Sequence, residues 1–224
     1  MPRFEVATNF FLVLTVVANV VVAAAVLGAL VAIVSTRVRA VWHSLAGALG
    51  AQALLVAWVV ALVTTAGSLY YSEHLGFIPC ELCWYQRILM YPLVIVLGVG
   101  WLRKDARAWI TAVPFVLLGA PLSLYHWLVE RVPSFAESSS CSITAPCSAP
   151  YFEKWGFVTL AWMCLSSFLL IGVLLALSAL SGDGRAPAPS VDDRPGTVGE
   201  RDEPVDRTER HERDQHGQHE EMER

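Results

Sequence analysis

Residues 80–102 read CELCWYQRILMYPLVIVLGVGWL, and the class of fold follows from this stretch. From Trp84 to Leu102 the side chains are almost all apolar, and Arg87 is the only one with a formal charge. A helix needs about 20 such residues to cross the hydrocarbon core of a bilayer. Because backbone groups find no water there, we expect this run to be a membrane-spanning helix.

Four further apolar runs of similar length occur, at about residues 10–34, 44–70, 108–129 and 156–180. Over the whole chain 55% of the residues are hydrophobic and 16% are charged, which is too apolar for an ordinary water-soluble domain. The sequence therefore predicts an all-α integral membrane protein with five membrane helices in one bundle. Pro92, Pro114 and Pro121 fall inside these runs, and we expect kinks there that neighbouring helices cover.

The charged residues divide the chain into two parts. Up to Gly182 there are 9 Lys or Arg and 7 Asp or Glu, whereas the remaining 42 residues hold 7 Arg and 13 acids. The basic residues of the apolar part are too few and too scattered to bind nucleic acid. The segment 182–224 mixes Pro, Gly and charge and cannot bury enough apolar surface to fold, so we expect a disordered acidic tail.

The positions of Lys and Arg predict the orientation of the helices, because positive residues are retained in short cytoplasmic loops. Two of the predicted loops carry such residues: Arg37 and Arg39 in one, and Arg103, Lys104 and Arg107 in the other. With these loops inside the cell, the loops at about residues 67–83 and 130–155 lie outside and the tail is cytoplasmic. A cleaved signal peptide is the alternative interpretation of the first apolar run, which is long for that purpose.

Five cysteines occur, and four of them fall in the two loops predicted to lie outside. Cys80 and Cys83 are in the first of these loops, and Cys141 and Cys147 are in the second. Disulfides persist on the outer side of a cell membrane. Cys164 lies in the middle of an apolar run and is expected to pack as a small apolar residue.

Cys80 and Cys83 form a C-x-x-C, a spacing that serves either a redox-active dithiol or half of a zinc site. Pro79 favours a helix that begins near these residues. A thiolate at Cys83 would then face the positive end of the helix, and Arg87 would add a positive charge one turn away. Both effects favour the thiolate, which is the reactive form.

Arg87 and His126 each have a structural and a functional interpretation. A charge at the edge of the hydrocarbon either reaches to the lipid phosphates or serves a function. Next to the C-x-x-C, Arg87 could hold a polar head group such as a quinone carbonyl. His126 lies at a similar predicted depth and is either a packing residue or a group that binds the quinone oxygen or relays a proton.

Cys141 and Cys147 lie in SSSCSITAPCSAPYF, a Ser- and Pro-rich stretch without helical period. Two cysteines at this spacing can close a small ring as a disulfide. That disulfide would be a structural staple, or it would exchange with the other pair by thiolate attack through a mixed disulfide.

At these residues the sequence resembles the DsbB family of membrane thiol:quinone oxidoreductases, including its shorter BdbC-type members. The resemblance covers about residues 45–180. Its most specific part is CELCWYQRILMYPL at residues 80–93, where the C-x-x-C is followed by a polar residue and Arg at the head of a membrane helix. The pair Tyr125 and His126, the loop cysteines and the WGF segment at residues 155–157 support it.

The resemblance implies an enzyme of disulfide bond formation, a protein-dithiol:quinone oxidoreductase that supports the folding of exported proteins. Cys83 is then the thiolate that attacks the quinone. Arg87 and Gln86 bind or polarise this quinone, and His126 lies nearby. The electron acceptor is ubiquinone or menaquinone, since the residues fit either.

The resemblance also implies a route for the electrons. Cys141 is attacked by a reduced DsbA-like thioredoxin-fold partner outside the membrane, Cys147 links transiently to Cys80, and the C-x-x-C passes two electrons to the quinone and on to the respiratory chain. The protein is then a multi-pass protein of the cell membrane, with its cysteine loops on the extracytoplasmic side and its tail in the cytoplasm.

Because the family core has four membrane helices, the chain is expected to have three parts. Residues 1–42 form an extra N-terminal membrane helix and an inner loop, residues 43–181 the DsbB-like four-helix bundle with both cysteine loops, and residues 182–224 the disordered tail. The redox interpretation requires no metal. Two non-catalytic interpretations stay open: four thiolates that hold one zinc ion, or two structural disulfides.

Overall fold

The structure is a computed structural model, and it describes residues 2–105, 107–138, 141 and 146–182. All of these lie in one compact unit, residues 1–185. The predicted disordered tail lies outside the described residues, apart from Gly182, which ends the last helix.

The described residues form six helices and one π-helical turn, with a single isolated bridge between Lys154 and Val158. The helices are α1 (Pro2–Val34), α2 (Thr36–Leu69), α3 (Glu81–Leu102), α4 (Ala108–Arg131), α5 (Pro133–Ser138) and α6 (Leu160–Gly182), and the π turn Tyr70–His74 follows α2. Five of them, all but the short α5, are long and apolar enough to cross a membrane. The prediction of an all-α multi-pass membrane protein is confirmed.

The junction between α1 and α2 differs from the predicted inner loop. Ser35 alone separates the two helices, with an extended backbone at φ −111° and ψ 114°. Arg37 and Arg39 therefore lie in the first turns of α2. The chain reverses direction at this residue. Thr8, near the start of α1, is therefore close enough to Tyr71, just beyond the end of α2, to form a hydrogen bond with it.

Helices α2, α3, α4 and α6 form a bundle in which each packs against two others: α2 against α3 and α6, and α4 against α3 and α6. Helix α1 packs outside this bundle, along α2 and α6. The core of the bundle is apolar, and the ring of Phe168 on α6 lies where Gly119 of α4 has no side chain. Small residues of this kind let membrane helices approach closely.

One end of the bundle gathers the cysteines of both loops. Helix α3 begins there and α4 ends there, and the loop between α4 and α6 returns over the same end. Four cysteines lie together in one apolar cluster with Leu82 and Val129: Cys80, Cys83, Cys141 and Cys147. The sequence had predicted these residues at one surface, and we refer to this end as the cysteine end.

Candidate active site

The C-x-x-C forms the start of α3. Cys80 is the N-cap residue, with an extended backbone (φ −70°, ψ 171°), and its Sγ accepts a hydrogen bond from the backbone N–H of Cys83 at 3.3 Å. The two sulfur atoms lie 2.6 Å apart, and both cysteines are free thiols. The pair is thus placed to close into a disulfide with little movement of either side chain.

In the reduced pair the thiolate is stabilised at Cys80, and the reactive thiolate expected at Cys83 from the sequence stays a prediction. A hydrogen bond from the Cys83 thiol, assisted by His126, holds the pKa of Cys80 well below that of an ordinary thiol although burial opposes this. The N-cap geometry makes a smaller contribution in the same direction. A helix start leaves backbone N–H groups unpaired, and here one of them points at the sulfur of Cys80.

His126, on α4, lies next to Cys80. Its Nε2 is 3.6 Å from the Sγ of Cys80, the side chain is buried, and its Nδ1 has no hydrogen-bond partner among the described residues. The sequence had placed His126 at the depth of Arg87, near an electron acceptor. In the structure the two residues have different partners, since Arg87 bonds Ser68 of α2 whereas His126 of α4 contacts Cys80.

Glu130 is a member of the site that the sequence argument missed. Its carboxylate is buried one helical turn beyond His126, with Oε1 at 4.0 Å from the Nε2 of His126. Its Oε2 accepts a hydrogen bond of 2.6 Å from the hydroxyl of Thr159. A signal was present in YHWLVER at residues 125–131, where an acid follows the histidine by four residues at the edge of an apolar run.

A cavity of about 360 Å³ opens beside these groups, and we call it the loop cavity. Cys80, Cys83, His126 and Glu130 line it together with Cys147 of the long loop. Cys147 is joined to Cys141 by a disulfide. Cys147 is 2% exposed, whereas Cys141 is only partly buried, so the more accessible sulfur of the loop pair is that of Cys141.

Arg87 is buried, with 8% of its surface exposed. Its Nε donates to the hydroxyl of Ser68 at 3.0 Å, and its Nη2 donates to the backbone carbonyl of the same residue at 2.9 Å. The guanidinium also lies over the ring of Trp84, 5.2 Å from the centroid. Two hydrogen bonds and a stacked ring therefore fix its orientation.

Arg87 lines a second cavity, also of about 360 Å³, which we call the acceptor cavity. Its walls come from α1, α2, α3 and α6 and are mostly apolar. Cys83 and Gln86 lie at its cysteine end, and the Nε2 of Gln86 is buried without a hydrogen-bond partner among the described residues. Cys164, predicted to pack in the core, forms part of the wall. A ligand with a polar oxygen and an apolar body would match this lining.

Cys83 lines both cavities, whereas Cys80 and His126 line only the loop cavity of the two. The dithiol thus lies between the loop cavity, which is lined by Cys147 of the loop disulfide, and the largely apolar acceptor cavity. Among the described residues, Cys80, Cys83 and His126 also bring three ligand atoms within 4.8 Å and could hold a metal ion. A four-thiolate zinc site would need Cys141 and Cys147 as well, and these two are joined as a disulfide.

Comparison with known proteins gives consistent matches. The family model for "Disulfide bond formation protein DsbB" matches residues 50–177. Disulfide bond formation protein C of Bacillus subtilis is 45% identical over 124 residues, 55% of this chain and 90% of the relative. A probable disulfide formation protein C of Bacillus cereus is 42% identical over 121 residues, 54% and 87% of the two chains. A probable disulfide formation protein of Oceanobacillus iheyensis is 44% identical over 122 residues, 54% and 84%. No solved structure matches.

Proposed function

The chain belongs to the DsbB family of disulfide bond formation proteins, and from this premise we propose that it carries electrons from a DsbA-like thioredoxin-fold dithiol to a membrane quinone. Its general role is that of a membrane disulfide oxidoreductase. One observation carries the finer proposal. The contacting thiols of Cys80 and Cys83 lie between a cavity lined by Cys147 of the loop disulfide and a mostly apolar cavity lined by Arg87.

The first transfer moves electrons from the loop pair to the C-x-x-C. A reduced partner attacks Cys141, opens the loop disulfide and leaves as a disulfide, so that the loop is a dithiol. The Cys147 thiolate then attacks Cys80 of an oxidised C-x-x-C, forms the Cys80–Cys147 bond and releases Cys83 as a thiolate. Attack of Cys141 on Cys147 restores the loop disulfide and releases Cys80. The positions of Cys147 in the loop cavity and of the more exposed Cys141 support this order.

His126 assists the release of Cys80. A thiol of low pKa leaves faster in thiol–disulfide exchange, and the imidazole 3.6 Å from Cys80 lies on the side where the negative charge develops. Glu130 is held by Thr159 with one oxygen and faces His126 with the other, so it orients the imidazole. In this proposal His126 acts on the loop transfer, and the quinone contact implied by the resemblance falls to Arg87 and Gln86.

The residues of the acceptor cavity fit a quinone. The unpaired Nε2 of Gln86 is a buried donor that a carbonyl oxygen would satisfy, and Arg87 is oriented by Ser68 at the same end. A quinone bound there supplies the two-electron acceptor: it takes up two electrons and two protons and leaves as the quinol, while Cys80 and Cys83 lose the same two electrons and two protons and become a disulfide. Cys83, which lines this cavity, faces the acceptor. Ubiquinone and menaquinone both have the required carbonyls.

The proposal places the cysteine end on the extracytoplasmic side of the cell membrane and the acidic tail in the cytoplasm. The unequal distribution of Lys and Arg between the predicted loops supports this orientation. Quinol formed there is reoxidised by the respiratory chain, so each disulfide made in an exported protein delivers two electrons to respiration.

The test is quinone reduction by the full chain in detergent or nanodiscs, with a reduced thioredoxin-fold protein as donor. The Cys83→Ser variant is expected to lose turnover. Cys164→Ser is the matched control, because Cys164 is also free and also lines the acceptor cavity. Normal turnover of Cys83→Ser would refute the proposed route, and a wild-type chain that reduces no quinone would refute the proposed acceptor.

A further inference from the structure

Helix α1 lies outside the part of the chain that matches the family, which begins at residue 50, yet it forms one wall of the acceptor cavity. Five of its residues line that cavity: Phe11, Leu14, Thr15, Val17 and Ala18. The remaining walls come from α2, α3 and α6, the three helices of the bundle other than α4, and from the connecting segments. The cavity as it stands in this protein is therefore not a property of the family core alone.

Specific contacts hold α1 in this position. On the α2 side the ring of Phe11 lies against Gly67, where any side chain would overlap it, and contacts the ring of Tyr71 in a tilted arrangement, with 5.8 Å between the centroids. The hydroxyls of Tyr71 and Thr8 are hydrogen-bonded at 3.3 Å and buried. These contacts fix the cysteine end of α1 against α2.

A second contact holds α1 against α6. The hydroxyl of Ser166 donates to the side-chain carbonyl of Asn19 at 3.1 Å. Thr8 and Asn19 are eleven residues apart, about 16 Å along a helix, so α1 is anchored above and below the cavity wall. In a bilayer such hydrogen bonds between helices favour one fixed packing.

The lining changes in character along the cavity. Ser68, Cys83 and Arg87 lie at the cysteine end, whereas Val59 and Val60 lie eight or nine residues earlier on α2, about 13 Å deeper. On α1 the residues that line the cavity extend from Phe11 to Ala18, about 10 Å along the helix. The cavity is therefore elongated, with polar groups at one end and hydrocarbon at the other, and the deeper part of its α1 wall is formed by Leu14, Val17 and Ala18.

We propose that α1 is a specificity element of the acceptor site, whose residues Leu14, Val17 and Ala18 contact the hydrocarbon side chain of the quinone. The proposal rests on the proposed function, because it assigns a wall of the same site. The head group binds between Gln86 and Arg87, and the side chain descends along α1. The extra helix thus makes this protein select acceptors that carry an apolar side chain over those that consist of the ring alone.

The test reduces the volume of the acceptor cavity by enlarging one side chain of α1. Ala18 lines the cavity and is 6% exposed, whereas Ala24 on the same helix is exposed and does not line it, so Ala18→Phe and Ala24→Phe form a matched pair. The full-length proteins are titrated with decylubiquinone, which has a ten-carbon side chain, and with duroquinone, which has none. Binding is measured by quenching of tryptophan fluorescence, and oxidation of Cys80 and Cys83 is measured in parallel.

Ala18→Phe is expected to raise the Kd for decylubiquinone at least about tenfold and the Kd for duroquinone less than about threefold, because an overpacked wall excludes the side chain but not the ring. Ala24→Phe is expected to bind both like the wild type. Ala18→Leu gives the same pattern with a smaller shift and serves if the larger side chain prevents folding. Reduction of the Cys141–Cys147 disulfide by dithiothreitol reports folding, since the loop cavity contains no residue of α1.

Two results overturn the inference and one overturns its premise. If Ala18→Phe and Ala24→Phe bind decylubiquinone equally well, α1 does not contact the side chain. If Ala18→Phe weakens both quinones equally while the loop disulfide reacts normally, α1 supports the bundle without selecting the acceptor. If the wild type binds neither quinone, the proposed function itself fails, independently of the role of α1.

Discussion

The Nε2 of His126 lies 3.6 Å from the Sγ of Cys80, which joins residues 46 positions apart in the chain. This contact places an imidazole of α4 beside the first cysteine of α3, on the side of the loop cavity. It supports the proposal that the histidine acts in exchange between the two cysteine pairs. Together with the stronger effect of the hydrogen bond from the Cys83 thiol, it lowers the pKa of Cys80.

The low pKa of Cys80 predicts the pH dependence of its alkylation. A lowered pKa means that the thiolate is already formed at neutral pH, so the rate of reaction with iodoacetamide should be constant from about pH 6.5 to 9 instead of rising toward an ordinary thiol pKa of about 8.5. Cys83→Ala should move the rise back into this range, and His126→Phe should do so by less. Mass spectrometry of the Cys80 peptide measures the rates, and a wild-type rate that rises through pH 8 to 9 would contradict the assignment.

Glu130 is predicted to act through His126 on the loop transfer. Glu130→Gln keeps the size of the side chain and an oxygen for Thr159 but removes the charge, so exchange between the loop pair and the C-x-x-C should slow about tenfold. Quinone binding should not change, because Glu130 does not line the acceptor cavity. The Tyr125→Phe and Glu137→Gln variants are controls, the second at an exposed acid of α5. Stopped-flow exchange that is equally fast in Glu130→Gln and in the controls would exclude this role.

The two loop cysteines are predicted to behave differently when replaced. In Cys141→Ser, Cys147 can still attack an oxidised C-x-x-C but nothing resolves the product, so a Cys80–Cys147 disulfide should accumulate. In Cys147→Ser that species cannot form. Peptide mapping under non-reducing conditions distinguishes the two variants. Accumulation of a Cys80–Cys141 disulfide in Cys147→Ser to the same extent would show that the roles are interchangeable.

Arg87 is predicted to be irreplaceable by lysine. Its Nε and Nη2 bond the hydroxyl and the carbonyl of Ser68 at once, which a single ammonium group cannot reproduce in the same geometry. The loss of one charge-assisted hydrogen bond costs about 1.5–3 kcal/mol, so Arg87→Lys should weaken decylubiquinone binding by about tenfold or more. Arg39→Lys, at an exposed position of α2, is the control. Equal affinities in the two variants would remove Arg87 from the acceptor site.

Much of the fold could be predicted from local sequence. The apolar runs gave five helices because the bilayer requires about 20 apolar residues per span, and Pro79 marked the start of α3. The junction at Ser35 could not be predicted, since a single extended residue leaves no polar loop to mark it. The packing of α1 along α2 and α6 could not be predicted either. The surface of α1 is apolar on all sides, so its composition does not indicate which side contacts other helices.

The candidate site was predicted in its composition but not in its arrangement. The C-x-x-C spacing and Arg87 four residues later identified the dithiol and its charged neighbour. The side of α3 that His126 approaches depends on which helices pack together, and no pattern in the sequence sets this order. Glu130 was overlooked because a lone acid near a helix end usually faces solvent, whereas here Thr159 and His126 hold it in a buried position.

The most direct test of the account is to trap the redox state of the C-x-x-C with and without an acceptor. The full chain carrying Cys141→Ser and Cys147→Ser is reduced, incubated in nanodiscs with or without decylubiquinone, and alkylated after denaturation. Quinone is expected to protect Cys80 and Cys83 from alkylation together, as one disulfide per quinol formed, while Cys164 remains alkylated. Cys80 and Cys83 that stay fully alkylated after incubation with decylubiquinone, and likewise with a menaquinone analogue, would contradict the claim that this dithiol delivers its electrons to a membrane quinone.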